Sequence, residues 1–274
     1  MHVPSLTFLL ALCAPQDPLP EIPVAPPAWT VKGDADALGS AARVDVISAD
    51  KFYMFSVGAF GRVSWPFGAV SDQDAVIVGN VVVIPDHLRY SDLFEVGWGV
   101  ALEASFNLFT PRRGGGGGRE EAMGYGGLQA GVYVSLQRDS YEGDRISEGP
   151  VFIDPDSLGL TCGFIGLKVI TDMGGGGYGA GHIGIGVARF DTVDARVSLS
   201  GGGDDSQEMF DASQEFAFES RYRFSARLGP LSLTGGVGIR IMGSPDEGSS
   251  PLGDLLDTHT FWTFDADFGL ELGF

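Results

Sequence analysis

The chain is short of basic residues and of cysteine, and each scarcity argues against a class of protein. Only 17 Lys and Arg stand against 36 Asp and Glu in 274 residues, which gives a formal net charge of −19. Phosphate binding requires clustered Lys and Arg, so this balance argues against a nucleic-acid partner. The two cysteines, Cys13 and Cys162, cannot form an intrachain disulfide if the first is removed with a signal peptide.

Helical periodicity and long apolar runs are missing as well. No segment shows an amphipathic helix period of useful length, and none after the N-terminus reaches the roughly 18 apolar residues of a spanning helix. Glycine and aromatic residues are abundant instead, with 42 Gly and 11% Phe, Trp and Tyr. This composition is typical of many strands joined by turns, so we expect an all-β fold.

The N-terminus predicts export. Residues 1–14 contain a short apolar run followed by Pro-rich sequence, which is typical of a signal peptide, although the run has no basic residue before it. A lipoprotein alternative would place lipid on Cys13, but Leu12 stands where such signals require a small residue. Residues 15–50 begin Pro-rich, which favours extended backbone and predicts a periplasmic lead-in.

From residue 51 onward, long segments alternate apolar with polar residues. The last segment, 262–274, has an apolar residue at every second position, with Thr, Asp, Gly and Glu between them. A period of two is that of a strand with one apolar and one polar face. About eight such strands are predicted, with ten as the alternative count, at 53–65, 94–108, 127–137, 157–171, 178–190, 215–228, 231–241 and 262–274.

One predicted strand does not alternate cleanly. Residues 157–171 are apolar on both faces, and a β-bulge near Phe164 and Ile165 would explain a switch of parity there. The gaps between strands are short at 172–177 and 229–230 and long at 66–92, 139–157, 191–213 and 243–259, which is the rhythm of inner turns and outer loops in a membrane barrel. The glycine-rich linker 110–124 departs from that rhythm. The apolar run 75–84 predicts a hairpin that continues the barrel wall or covers its mouth.

Charged residues fall on the polar face of these strands. An Arg or Lys facing lipid at mid-bilayer costs about 2–4 kcal/mol, so the charges are expected to face the lumen and pair there. A soluble lipocalin-like barrel would have the inverse arrangement, and periodicity alone does not separate the two. Strand length, loop rhythm and aromatics near strand ends favour the membrane. The predicted lumen charge network is Arg62, Glu95, Glu103, Glu219, Arg221, Arg223, Arg240, Asp265, Asp267 and Glu271.

The C-terminal strand resembles the assembly signal of Gram-negative outer-membrane proteins, in which a terminal Phe ends an alternating strand. The matching residues are Phe268, Leu270, Leu272 and Phe274. In size and strand count, residues 51–274 are similar to the small barrels of the OmpA and OmpW kind. The resemblance implies an antiparallel up-and-down transmembrane β-barrel that is exported through the periplasm, inserted by the barrel-assembly machinery, and in contact with outer-membrane lipid and lipopolysaccharide.

No catalytic, cofactor or metal site is predicted. Lipid A deacylases among the small barrels carry a His-x-Ser element, whereas His182 is followed by Ile183 and Gly184, and His87 and His259 are not followed by this element either. The glycine runs lack the Lys-Ser/Thr of phosphate loops. His182 is expected to be a hydrogen-bonded histidine inside the lumen.

The predicted outer loops are acidic. Solvation explains such charges, and binding of divalent cations that bridge lipopolysaccharide phosphates is the sharper alternative. The residues concerned are Asp139, Glu142, Asp144, Glu148, Asp154, Asp156, Asp191, Asp194, Asp204, Asp205, Glu208 and Asp211.

Three roles follow for an eight-stranded barrel, whose interior is normally filled by side chains. A structural or envelope-stabilising role is the first expectation. Binding or passage of a small apolar solute is the second, because inward glycines would leave space in the lumen. A lipid-modifying enzyme is the third, and it would require a Ser–His–acid cluster at the barrel rim. The soluble ligand-binding barrel is the alternative outside the membrane. The inward glycines that would leave space for a small apolar solute are Gly97, Gly99, Gly184, Gly186, Gly236 and Gly238.

Overall fold

A computed structural model describes residues 53–71, 76–78, 81–84, 87–109, 128–148, 151–174, 177–199 and 203–274. The predicted signal peptide (1–14), lead-in (15–50) and glycine-rich linker (110–124) lie outside the described residues. The strands, in chain order, are β1 (Phe55–Phe67), β2 (Val76–Val78), β3 (Val81–Ile84), β4 (Gly97–Phe109), β5 (Leu128–Tyr141), β6 (Ile146–Glu148), β7 (Val151–Pro155), β8 (Leu158–Gly174), β9 (Gly177–Phe190), β10 (Val193–Leu199), β11 (Asp204–Asp211), β12 (Ser213–Leu228), β13 (Leu231–Met242), β14 (Asp246–Glu247) and β15 (Phe261–Gly273).

Eight long strands form a closed antiparallel barrel in the order β1-β15-β13-β12-β9-β8-β5-β4. The seam pairs the first and last strands, from Ser56 with Gly273 to Phe67 with Trp262. The strands have 12 to 17 residues, which is more than the roughly 9–11 that cross a bilayer. The prediction of an eight-stranded antiparallel barrel is confirmed.

The barrel is apolar outside and polar inside. The apolar side chains of the barrel strands point outward and are exposed, whereas the Arg, Lys, Asp and Glu side chains on the inward face are buried in the interior. A lipocalin-like barrel has the inverse arrangement, so the inside-out pattern identifies a barrel that spans a membrane of the outer-membrane type. The outward, exposed side chains include Trp98, Leu102, Val134, Leu136, Ile165, Leu167, Ile183, Ile185, Phe216, Phe224, Phe268 and Leu270.

Strand β8 keeps one parity, so the predicted bulge near Phe164 and Ile165 is wrong. Its pairing with β5 runs without a shift from Leu128 with Thr171 to Tyr141 with Leu158. Phe164 is buried and Ile165 is exposed. Both faces are apolar because the inward residues at this end meet an apolar core instead of the charged lumen. The inward residues are Leu158, Leu160, Cys162 and Phe164.

A second sheet lies beyond one end of the barrel, with the order β14-β11-β10-β7-β6. Within this sheet, β10 pairs antiparallel with β7, from Ala195 opposite Pro155 to Leu199 opposite Val151. We call this sheet, together with the helical turn α1 (Tyr90–Leu93), the outer cap. One apolar cluster joins the cap to the barrel strands beneath it, and its members include Tyr90, Leu93, Phe94, Val151, Ile153, Leu160, Phe190, Val193, Met209, Phe210 and Phe261.

The cap covers the end of the barrel to which the long gaps belong. Tyr90 is fully buried there, and its hydroxyl donates a 3.1 Å hydrogen bond to the backbone oxygen of His259. Burial, together with the charge of Glu247, raises the pKa of the Tyr90 phenol above its ordinary value. The opposite end, which we call the short-turn end, carries the turn at Gly229, where φ is +73°.

Within the apolar run 75–84, β2 and β3 pair as the predicted hairpin, with Val78 opposite Val81. The hairpin is a separate two-stranded sheet, so the expectation that it continues the barrel wall is wrong. Among the described residues, no helix is long and apolar enough to cross a bilayer.

Candidate functional site

Within the part of the chain that the structure describes, the lumen holds six buried acidic and five buried basic side chains, and we call this set the lumen network. Moving an unpaired charge out of water costs several kcal/mol, so near balance is required for such a set to be buried. One acid is in excess when His182 is neutral. The acids are Glu103, Asp139, Glu219, Asp265, Asp267 and Glu271, and the bases are Arg62, Lys168, Arg221, Arg223 and Arg240.

Arg240 organises the layer below the outer cap. Its Nη1 donates to Asp139 Oδ2 at 2.6 Å, and its Nη2 donates to Asp265 Oδ1 at 2.8 Å. Its Nε donates to the second oxygen of Asp265 at 2.8 Å, which makes the pair bidentate. Ser64 also donates to Asp265, at 2.6 Å. Such charge-assisted, two-pronged bonds are the strong class of hydrogen bond.

Glu219 is the acceptor at the centre of the next layer. Tyr133 and Gln137 each donate to it at 2.8 Å, through the hydroxyl and Nε2 respectively. Arg221 forms an ion pair with the same carboxylate. Gln137 also accepts a hydrogen bond from Arg62 Nη1 through its Oε1, so one carboxamide joins a cation to an anion.

Arg223 lies between two carboxylates. Its Nη1 is 2.6 Å from Glu103 Oε2, and its Nη2 is 2.8 Å from Asp267 Oδ2. The guanidinium also lies over the ring of Phe60, 3.6 Å from the centroid, which is a cation–π contact in a desolvated setting. His182 Nε2 is 3.1 Å from Glu103 Oε1. The expected interior histidine is therefore part of this layer.

Glu271 closes the network toward the short-turn end. It accepts hydrogen bonds from Lys168 at 2.7 Å, from Tyr178 at 2.8 Å and from Ser56 at 2.5 Å. Lys168 also reaches Glu103 at 3.4 Å. The layers are thus connected, and strands on opposite sides of the barrel are linked through the lumen.

Two acidic residues lie elsewhere than predicted. Glu95 is exposed and precedes β4, which begins at Gly97, so it is not in the lumen. Asp139 was expected in an outer loop, but β5 continues to Tyr141 and buries Asp139 in the lumen. The error in both cases is the position of a strand end. Lys168 was also missed, because the apolar neighbours of β8 hid its inward parity.

The inward glycines do not leave empty space. A Cβ on Gly184 would lie 2.3 Å from the Tyr133 hydroxyl, and one on Gly236 would lie 2.5 Å from Arg223 Cγ. A Cβ on Gly97 would meet the Tyr141 ring at 2.5 Å. These glycines accommodate long side chains from neighbouring strands, so the space expected for an apolar solute is already filled at these positions.

The acidic residues of the outer segments are spread over the cap and its connections. Asp191 forms an exposed ion pair of 2.6 Å with Arg138. Among the described residues, no group of three His, Cys, Asp or Glu side chains converges to hold a metal ion. The binding of divalent cations at these loops stays a prediction.

The residues of the predicted assembly signal lie on the lipid-facing side of β15. Phe268, Leu270, Leu272 and Phe274 are all exposed. The Phe274 amide donates to the Phe55 backbone oxygen at 2.8 Å. The terminal residue therefore takes part in closing the barrel, while its role as a signal stays a prediction.

No protein-family model matches the chain, and no curated protein matches it. Among solved structures, it is similar to Neisserial surface protein A, with 11% identity and a TM-score of 0.43 over 80% of this chain and 97% of that one. Ail, the attachment invasion locus protein of Yersinia pestis, is similar at 12% identity and a TM-score of 0.37, over 81% of this chain and 100% of that one. The outer membrane protease OmpT from Escherichia coli is similar at 9% identity and a TM-score of 0.33, over 83% and 100%.

Proposed function

We propose that the protein is an outer-membrane barrel with a structural, envelope-stabilising role and that its lumen does not conduct. The observation that carries this proposal is the lumen network, which fills the barrel with ion pairs that connect strands across it. The outer cap supports the same conclusion, because its apolar cluster covers one end of the barrel.

The network ties together strands that are not neighbours. Arg240 of β13 is paired with Asp139 of β5, and Arg223 of β12 is paired with Glu103 of β4. Removing one partner of a buried pair costs about 3–5 kcal/mol, since the other charge is left uncompensated. A solute that crossed the lumen would have to break several such pairs at once, so the resting barrel is expected to be closed.

A non-enzymatic role is part of the proposal. His182 lies 3.1 Å from Glu103 and packs edge-on against Tyr133 inside the lumen. A lipid-modifying enzyme would instead place its base near the rim, where the lipid head groups are. We propose outer-membrane lipid, lipopolysaccharide and the barrel-assembly machinery as the partners of the chain.

Conductance across a planar lipid bilayer tests the closed lumen. We expect the purified, folded chain to insert without producing discrete conductance steps, whereas a general porin in the same bilayers gives them. Folding of each sample would be checked by its gel mobility before and after boiling. Stable, reproducible open steps from the folded protein would overturn the closed-barrel proposal.

A further inference from the structure

Two arginines lie on the lipid-facing wall of the barrel near the cap, whereas the lumen network faces inward. Arg138 of β5 and Arg189 of β9 are exposed, and their neighbours along the chain, Asp139 and Phe190, are buried in the interior. Because successive side chains of a strand alternate between its faces, both arginines point outward. Thr161 of β8 pairs with Arg138 on one side and with Arg189 on the other. We call these three residues, Arg138, Thr161 and Arg189, the rim site.

The rim site lies at the level where lipid head groups meet the barrel wall. Trp98 is 69% exposed and lies opposite Ser140, which is one step beyond Arg138 on the same face of β5, toward the cap. Exposed aromatic side chains near strand ends mark the membrane interface in outer-membrane barrels. An outward arginine costs little at this depth, because its charge meets head groups and water instead of hydrocarbon.

The next row of outward residues, on the side away from the cap, is apolar. Leu136, Gly163 and Val187 pair with one another across β5, β8 and β9, and Leu136 and Val187 are exposed. A Cβ on Gly163 would meet nothing within 4 Å, so the wall has a notch between these two side chains. Phe216 of β12 continues the row opposite Val187. Cations beside a notched apolar row match the phosphate and the acyl chain of one lipid molecule.

The two arginines have N–H donors to offer to such a phosphate. Arg138 Nη1 donates to Thr161 Oγ1 at 2.7 Å, and its Nη2 donates to Asp191 Oδ2 at 2.6 Å. A guanidinium has five N–H donors, so these two bonds orient Arg138 without exhausting it. Among the described residues, no hydrogen bond or ion pair engages the Arg189 side chain. Two arginines against one aspartate leave the site with a net positive charge.

We propose that the rim site binds the phosphate group of an outer-leaflet lipid, with lipid A of lipopolysaccharide as its source. Arginine binds phosphate through paired N–H donors. The backbones of Arg138 and Arg189 are two strand spacings apart, about 10 Å, so their long side chains can converge on one phosphate. An acyl chain of the same lipid would lie along the apolar row. The inference rests on the proposed function, which places the chain in the outer membrane with lipopolysaccharide as a partner.

Lipid binding to the full chain, folded in detergent micelles, tests the proposal. The probes are lipid A and lipid A from which the phosphates have been removed, each titrated and followed by native mass spectrometry. A chelator in the buffer prevents divalent cations from bridging the lipid to acidic residues. We expect phosphorylated lipid A to bind about tenfold or more tightly than the dephosphorylated form, because only the former offers an anion to the arginines.

The double variant Arg138→Gln/Arg189→Gln removes both cations of the rim site. Both positions are exposed, so we expect it to fold, which gel mobility before and after boiling would check. Its affinity for phosphorylated lipid A is expected to fall by about tenfold or more. The control is Arg145→Gln/Arg196→Gln, which makes the same change in net charge at two exposed positions, in β10 and just before β6. The control should leave binding unchanged.

The lipid that stays bound to the chain after extraction from outer membranes identifies the source of the phosphate. We expect lipopolysaccharide to be retained by the wild-type chain and lost from the rim-site variant, whereas retention of a phospholipid in its place would overturn the assignment to lipid A. Equal affinity of the two double variants, or of the two forms of lipid A, would overturn the rim site itself. These outcomes are independent of conductance, so failure here and failure of the closed-barrel proposal are separate results.

Discussion

At the scale of single residues, a few buried charges decide whether the lumen is stable. Arg240 is 1% exposed and contacts both Asp139 and Asp265. Each of these side chains would be costly to bury alone. The three charges therefore stabilise one another, and loss of the Arg240 cation leaves the two carboxylates buried in the same layer of the lumen.

We expect Arg240→Met to lower the free energy of unfolding by about 3–5 kcal/mol, because Asp265 loses its ion pair with Arg240 and Asp139 is left with the longer, 3.7 Å pair to Arg62. The measurement is urea unfolding of the folded protein in lipid vesicles. The control is Arg138→Met, which removes an exposed ion pair with Asp191 and should cost no more than about 1 kcal/mol. Equal losses for the two variants would contradict a cohesive lumen network.

Gly184 tests whether the inward glycines accommodate large side chains. Gly184→Val would place its Cβ against the Tyr133 hydroxyl, which donates to Glu219, so we expect a loss of about 1–3 kcal/mol from overpacking. Gly163→Val is the control, because a Cβ there meets nothing within 4 Å. An unfolding free energy that falls equally in both variants, or in the control alone, would show that space at Gly184 does not decide stability.

The alternation of the strands predicted most members of the lumen network, including Arg223 and Asp267. It could not predict their partners, since a partner lies on another strand and depends on the register between them. The sequence also misplaced Glu95 and Asp139, because both lie near a strand end and period two does not say where pairing stops.

At the scale of elements, the last strand combines closure of the barrel with the predicted assembly signal. The backbone of Phe274 is hydrogen-bonded to Phe55 and Met54. Its side chain is 63% exposed and approaches the Phe55 ring, with centroids 6.1 Å apart. A side chain with so little burial contributes little to folding stability, so its effects on assembly and on stability can be separated.

We expect Phe274→Ser to reduce the amount of protein in the outer membrane of cells while changing the unfolding free energy of the refolded protein by no more than about 1 kcal/mol. The reason is that the substitution removes the proposed assembly signal, whereas it removes few packing contacts. Phe216→Ser is the control, since Phe216 is 65% exposed on the barrel wall. Equal outer-membrane levels of the two variants would remove the evidence for a signal at the C-terminus.

The sequence does not predict the strands of the outer cap. The eight barrel strands could be read because each is long and alternates. The cap strands are short, and their sheet depends on contacts between segments distant in sequence, such as β7 with β10. The apolar cluster below the cap also explains the wrong prediction of a bulge in β8. The inward residues of β8 near the cap face that cluster, whereas those farther from the cap face the charged lumen.

At the scale of the whole molecule, the central feature is a closed barrel with its charges inside and its apolar surface outside. The exterior is compatible with lipid and not with water. Periodicity gave the two faces of each strand, and only closure of the sheet decided which face is inside. The cap at one end and the turn at Gly229 at the other follow the loop rhythm expected of an outer-membrane barrel, whereas the long connection between β4 and β5 departs from it.

Heat modifiability in isolated outer membranes tests this central feature most directly. The membrane fraction would be run on a detergent gel with and without boiling, because a closed barrel keeps its compact shape in cold detergent and unfolds on heating. We predict that the protein is found in the outer-membrane fraction and that the unboiled band shifts in mobility relative to the boiled one. A protein found in the soluble fraction, with the same mobility before and after boiling, would contradict a lipid-facing closed barrel.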